Sequence, residues 1–265
     1  MQITQLRNAT LVLEAAGHRL LVDPMLAPAG AIPALKYATR SRRRNPLVDL
    51  PASTDSALAG VSGALITHCQ KGHFDHLDRA GSRWLRERAV PVWCAPDDQA
   101  FLRRRGLNAN AISAEGEQTC WGAEVQLVPC LHGRGVIGSL MAHGVGYSIR
   151  WPDQPSIYLT GDTILSPELE AFVVQQQPDI IVAPAGGARF DVGGEIIMGV
   201  DDILALLRIA KGRVVANHLE ALDHCPVSRR QLRAAADSAG LGQRLLIPDD
   251  GQCINLSDAS LAGAA

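Results

Sequence analysis

The stretch Ala64-Leu-Ile-Thr-His-Cys-Gln-Lys-Gly-His-Phe-Asp-His-Leu-Asp78 decides how this chain is read. A short apolar, strand-like run ends at Thr67, His68 follows, and His73, Asp75 and His76 then crowd together. Imidazole nitrogens and carboxylate oxygens at this density are ligands of the kind zinc takes. One loop rarely supplies a whole coordination shell, so partners are expected elsewhere. His132 follows the strand-like residues 124–130, Asp162 follows 156–161 and His218 follows 213–217. Strand ends are where sheets fix a side chain's position and loops leave it open to a ligand. A single histidine after a strand is usually a hydrogen-bonded structural residue; His68, His132, Asp162 and His218 together form a pattern. His18 reads as an exposed turn residue, His143 as a loop residue, and His224 as a supporting donor, a substrate contact or a helix cap.

Working outward, residues 3–6, 10–14 and 19–22 carry the aliphatic and β-branched residues of strands, with Ala16-Gly17-His18 as a hairpin turn. Residues 25–54 are rich in Pro, Ala and Arg without a period. Helices are expected over 78–88, 96–105, 167–176, 200–209 and 228–239. Further strands are expected over 64–67, 91–95, 111–113, 124–128, 145–150, 156–160, 179–183 and 213–216, with one near 245–247 closing the fold and a frayed tail after Asp258. No linker or short repeat divides the 265 residues, so two packed sheets with helices outside, in one domain spanning 1–265, are expected.

A hydrophobic fraction of 47% and a charged fraction of 20% are ordinary for a globular protein. The net charge of -2 gives no footprint for nucleic acid or an anionic membrane, which leaves a small-molecule partner. Residues 1–7 lack the order of a signal peptide, and no apolar run reaches membrane-spanning length. The six cysteines lack paired spacing and read as free thiols in a reducing cytoplasm. Cys69, Cys130 and Cys225, near the candidate ligands, read as small packed hydrophobes.

Leu21-Val-Asp-Pro24, the opening stretch, Leu131-His-Gly133, Thr160-Gly-Asp-Thr163 and Ala216-Asn-His-Leu-Glu-Ala-Leu-Asp-His224 together resemble the metallo-β-lactamase fold superfamily. Within it, they resemble the branch of metal-dependent hydrolases that includes L-ascorbate-6-phosphate lactonase. The resemblance runs from Ile3 to about Asn255. It implies a four-layer αββα sandwich with a two-metal site at one edge of the sheets. Carried over residue by residue, it implies His68, His73 and His132 on one metal, and Asp75, His76 and His218 on the other. Asp162 would bridge them, and Asp23 would support the ligand loop by hydrogen bonding.

The sequence departs from the family pattern at one point. The family writes His-x-His-x-Asp-His, whereas Cys69-Gln-Lys-Gly72 here separates His68 from His73. In one reading the extra residues bulge out, with Gly72 easing the bend, and His68 still reaches the first metal. In the other, that site lacks a ligand or recruits Cys69.

The resemblance implies two zinc ions, with manganese or iron as other candidates, roughly 3.5–4 Å apart and sharing a water deprotonated near neutrality. Such a hydroxide would attack an ester, lactone or phosphoester, with Asp75 orienting the water or moving a proton. Arg40, Arg42, Arg43 and Arg44, with Lys71, would suit an anionic substrate or simply face water. Two other classes stay open: an iron-dependent oxidoreductase on the same fold, and a non-catalytic metal-binding protein if the insertion disables the first site.

Overall fold

The structure, a computed structural model, describes residues 1–38, 42–70, 72–135, 138, 141 and 144–257. Arg40, Lys71, His143 and the tail after Asp258 lie outside the described residues.

The first half opens with an antiparallel meander, β1 (Gln2–Arg7), β2 (Thr10–Ala15) and β3 (His18–Val22). Ala16 and Gly17, both at positive φ, make the tight β2–β3 turn, and His18 is the half-buried first residue of β3 rather than an exposed turn residue. After α1 (Thr54–Leu58) the chain lays β4 (Gly63–Ile66) parallel to β3. Helix α2 (Arg79–Glu87) leads to β5 (Val92–Cys94), and α3 (Pro96–Arg104) leads to β6 (Ala109–Ala111), both strands parallel to their predecessors.

The second half follows the same plan. The strands β7 (Glu117–Cys120), β8 (Ala123–Pro129), β9 (Val145–Arg150) and β10 (Ile157–Leu159) are antiparallel. Then α4 (Pro167–Gln176), β11 (Ile180–Pro184), α5 (Val200–Ile209), β12 (Arg213–Asn217), α6 (Arg229–Ser238) and β13 (Leu245–Leu246) add parallel strands. Finally β14 (Cys253–Asn255) returns to pair with β1. Among the described residues two seven-stranded sheets result, in the orders β14-β1-β2-β3-β4-β5-β6 and β13-β12-β11-β10-β9-β8-β7.

The period-2 alternation of the strands divides the core into layers. Leu11, Leu13, Leu20, Val22 and Leu65 of one sheet pack between the sheets against Ile149, Ile157, Ile180, Val182 and Val215 of the other. Their chain neighbours point outward: Val12, Leu21, Ala64 and Ile66 meet Leu58, Leu85 and Leu102 of α1–α3. On the far side, Ile181, Ala183, Val214 and Ala216 meet Val173, Leu206 and Leu232 of α4–α6. The four layers are therefore α-β-β-α, as the sequence led one to expect.

Several boundaries differ from expectation for physical reasons. Asp78 is not helical; its Oδ1 accepts the Gly81 amide at 2.6 Å and caps α2. Residues 117–120, outside the expected strands, form β7, a half-exposed edge strand with one solvated face. Residues 111–113 contribute only Ala111, because the parallel register to β5 starts at Ala109. The short α1 and the exposed β14 carry too little apolar pattern to be read in advance, and β14, not residues 245–247, completes the first sheet.

Candidate metal centre

Strands β3, β4, β8, β10 and β12 all run toward one edge of the sandwich, and each delivers a polar side chain just past its end. These are Asp23, Thr67 with His68, His132, Asp162 and His218. The edge is tied across the two sheets. Tyr147 Oη donates to the Ile66 carbonyl at 2.6 Å, the Val145 amide to Thr67 O at 3.2 Å, and the His218 amide to Asn8 O at 3.0 Å. Asp23 and His218 leave their strands at φ 46° and 57°, and Gly161 at 65° turns the chain into Asp162. Such left-handed backbone at non-glycine residues costs about 1–3 kcal/mol each and persists where the surroundings impose it.

All seven candidate residues from the sequence come together here, and all are buried. They fall into two groups whose potential ligand atoms lie within 4.8 Å of one another: His68, His73 and His132, and Asp75, His76, Asp162 and His218. His68 therefore stands with its group despite the insertion, 4.4 Å from His73 between ring centroids. The intervening loop is held outward by α3. Gln70 Nε2 donates to Asp97 O and Asp98 Oδ1, each at 2.9 Å, and Gly72 takes φ +90°. Cys69 belongs to that anchor rather than to the ligands. Its Sγ is 3.6 Å from Asp98 Oδ1, and burial with the nearby Asp98 carboxylate pushes the thiol far up.

The imidazoles are oriented by what their Nδ1 atoms meet. His73 Nδ1–H donates to Gln70 O at 2.6 Å, and His132 Nδ1–H to Ile196 O at 2.7 Å. His76 Nδ1–H donates to Asp23 Oδ2 at 2.8 Å. The Thr67 hydroxyl donates to Asp23 Oδ2 at 2.7 Å, so it accepts from His68 Nδ1–H at 3.0 Å. His218 Nδ1 lies 3.5 Å from Cys225 Sγ. A proton fixed on Nδ1 leaves the Nε2 lone pair for the centre. His68 Nε2 is buried there without any hydrogen-bond partner among the described residues. An orphaned buried acceptor among inward-facing nitrogens and two carboxylates fits a metal ion.

The electrostatics divide the two groups. Burial lowers His68 well below the usual imidazole range, helped by His76 and His73, and burial also lowers His132. Burial opposes protonation of His76 and His218 as well, but Asp162 leads the nearby anions that outweigh it, and both rise well above that range. Asp162 and Asp75 go the other way: burial would raise them, but the facing imidazoles hold both well below the usual carboxylate range. The two carboxylates of the second group thus favour positive charge between them, which protons on His76 and His218 or a bound dication would supply.

Asn8, Thr67 and Cys225 belong to the site although the sequence did not single them out as ligand supports. Asn8 Nδ2 lies 3.3 Å from His218 Nε2, and its only advance signal was a polar residue in the β1–β2 turn. Cys130 stands outside both groups; its thiol donates to Thr160 O at 2.9 Å. Arg44 is spent on loop structure, donating to the Gly30 and Ala31 carbonyls. A cavity of about 110 Å³ opens on the centre, lined by His73, Asp75, His132, Asp162 and His224 and by apolar Leu35, Met141, Phe190 and Ile196. The larger groove of about 680 Å³ between α2 and α3 contains none of the seven residues, so volume alone does not mark the site.

Residues 18–219 match the family described as the Beta-lactamase superfamily domain. The UPF0173 protein YddR of Bacillus subtilis is 32% identical over 255 residues, 95% of this chain and 98% of that protein. The UPF0173 metal-dependent hydrolase MJ1163 of Methanocaldococcus jannaschii is 27% identical over 213 residues, 80% of this chain and 90% of that one. Among solved structures, isothiocyanate hydrolase from Delia radicum gut bacteria superposes with a TM-score of 0.85 at 32% identity, covering 97% of this chain and 100% of that one. The match is at the level of the superfamily and carries no narrower assignment to a lactonase branch. The chain belongs to the metallo-β-lactamase superfamily, and its relatives include proteins named metal-dependent hydrolases.

Proposed function

We propose that this chain is a two-metal hydrolase of small uncharged electrophiles, with isothiocyanates as the first substrate class to test. One observation carries the reading: five imidazoles have their Nδ1 atoms engaged by outward partners, and with Asp75 and Asp162 they gather in two adjoining groups of potential ligand atoms. His68, His73 and His132 would hold one ion, Asp75, His76 and His218 the other, and Asp162 both; zinc suits the nitrogen-rich set, and manganese or iron would also fit it. When bound, the ions supply Lewis acidity that activates water and polarises the substrate.

The chain's own residues do the rest. Leu35, Met141, Phe190 and Ile196 favour an apolar tail, and no Lys or Arg lines the cavity among the described residues. This supports a neutral substrate over the phosphoester or anionic lactone that the Arg40–Arg44 region suggested. At about 110 Å³ the space suits a group somewhat smaller than the benzene that a cavity of ~150 Å³ accepts. The isothiocyanate hydrolase named above supplies the electrophile. Water oxygen bonds to the central carbon as the C=N π pair moves to nitrogen, and Asp75 takes the water's proton and passes it to that nitrogen. The resulting thiocarbamic acid splits to an amine and carbonyl sulfide, which balances R-NCS and water.

The oxidoreductase reading gains no support from the relatives' names, and the non-catalytic reading loses its premise, because His68 joins its group. The small-molecule partner and the one-domain organisation belong to the same proposal. So does the cytoplasm, which the free cysteines support; no helix among the described residues is long and apolar enough to cross a membrane. The test is amine and carbonyl sulfide release from allyl isothiocyanate by zinc-loaded protein, beside ester, lactone and phosphodiester panels. Turnover of the isothiocyanate alone supports the proposal; turnover of only a phosphodiester contradicts it.

A further inference from the structure

His224 is 4% exposed, lines the cavity beside Asp75 and Asp162, and stacks on Phe190 with ring centroids 6.0 Å apart and planes inclined by 25°. It belongs to neither group of converging ligand atoms. Its Nδ1 lies 3.9 Å from Cys225 Sγ, and the same sulfur lies 3.5 Å from His218 Nδ1. His224 Nε2 makes no hydrogen bond among the described residues, yet it is not one of the buried polar atoms sealed off without a partner. The imidazole also borders a cleft of about 480 Å³ lined by Lys36, Arg43 and Arg189, so it forms part of the wall between two spaces.

Hydrogen-bond polarity follows along this chain of atoms. His218 Nε2 faces the carboxylates, 3.3 Å from Asp75 Oδ2 and 3.4 Å from Asp162 Oδ2. A histidine that presents Nε2 to a metal carries its proton on Nδ1, and here that proton points to Cys225 Sγ. With the sulfur accepting from His218, the thiol hydrogen is left to donate to His224 Nδ1. Whether Nδ1 accepts that hydrogen bond or takes the proton over, the His224 Nε2 keeps its own.

We propose that His224 Nε2–H is a hydrogen-bond donor to the substrate, with Cys225 as the positioning residue that couples its tautomer to His218. The proposal rests on the reading of His218 as a metal ligand. As the bond from water oxygen to the electrophilic carbon forms, the π pair moves onto the adjacent heteroatom. His224 donates a hydrogen bond to that atom, and the proton stays on Nε2. Donors aimed where charge develops act most strongly in a site closed to water. Phe190, stacked on the ring, holds its plane toward the cavity.

The test uses the full zinc-loaded chain and its His224→Phe, His224→Gln, Cys225→Ser and Cys225→Ala variants, with allyl isothiocyanate as the probe. Metal content should equal that of the unmodified protein in both His224 variants, and kcat of the Cys225 variants is taken per bound metal. His224→Phe should lower kcat about 10²–10³-fold. His224→Gln should recover part of that through its amide N–H. Cys225→Ser, whose shorter side chain reaches the two imidazoles less well, should lower kcat, and Cys225→Ala should lower it further, both staying above His224→Phe. Nitrogen-15 NMR of the zinc-loaded parent should show His224 protonated on Nε2, a readout independent of turnover. Full kcat in His224→Phe at unchanged metal content, or a His224 without a proton on Nε2, overturns the proposal. A parent protein that binds no zinc instead overturns the metal reading on which it rests.

Discussion

Asp23 Oδ2 accepts the Nδ1 proton of His76 at 2.8 Å, with both side chains buried. The same carboxylate takes the Thr67 amide at 2.8 Å on Oδ1 and the Thr67 hydroxyl at 2.7 Å on Oδ2. Through Thr67 it also reaches His68. One side chain at the end of β3 thus orients an imidazole in each of the two groups.

Asp23→Asn removes the charge that holds both imidazoles while keeping the volume. Loss of an outer partner of this kind costs about 10–100-fold in metal affinity. Competition with a chromophoric chelator should read that loss, with the circular dichroism spectrum unchanged. Unaltered affinity would show that Asp23 does not orient the ligands.

His68 and Cys69 separate cleanly by substitution. His68→Ala should lose one of two metal equivalents, because its Nε2 is the buried orphan of the first group. Cys69→Ser should keep both, because Sγ faces Asp98. Elemental analysis of the two purified variants decides; the reverse pattern would return the thiol to the ligand set.

The opening stretch shows how far a sequence reads by itself. The continuous apolar runs of β2, β3, β11 and β12 announce strands buried between two layers, and the strand ends announce where the candidate ligands gather. The path from His68 to His73 was not legible, because it depends on contacts between Gln70 and α3 that are distant in sequence. β7 and β14 were hidden for another reason: at sheet edges half the residues face water, and hydrophobic periodicity fades. Asn8 and Cys225 support the site through tertiary contacts alone.

Metal addition should stabilise the protein more at about pH 8 than at about pH 6. Burial disfavours protonated His76 and His218, but Asp162 and the neighbouring anions outweigh it and raise both in the folded, metal-free chain. Groups raised on folding give their full stabilisation below the unfolded value, about 6.5 for histidine, and lose it as pH rises through the folded value. Metal needs both bare, so protons compete with it on the acid side. Thermal unfolding with and without zinc at the two pH values reads the difference; an equal or smaller gain at the higher pH would contradict this.

Gly81 sits where α2 meets the backbone that follows Asp23. A Cβ there would stand 2.1 Å from Pro24 O, backbone that cannot simply swing aside. Gly81→Ala should therefore cost about 1–3 kcal/mol by overpacking. Urea unfolding would measure it, and a neutral result would mean that the α2 start shifts freely against residues 23–24.

The most direct measurement is the metal content of the protein purified without added metal and again after zinc loading, read by mass spectrometry of the intact chain under native conditions. Two ions per chain after loading, falling to one in His68→Ala, is the predicted result. A parent chain that saturates at one ion, or binds none, would contradict a two-metal centre built on these seven residues.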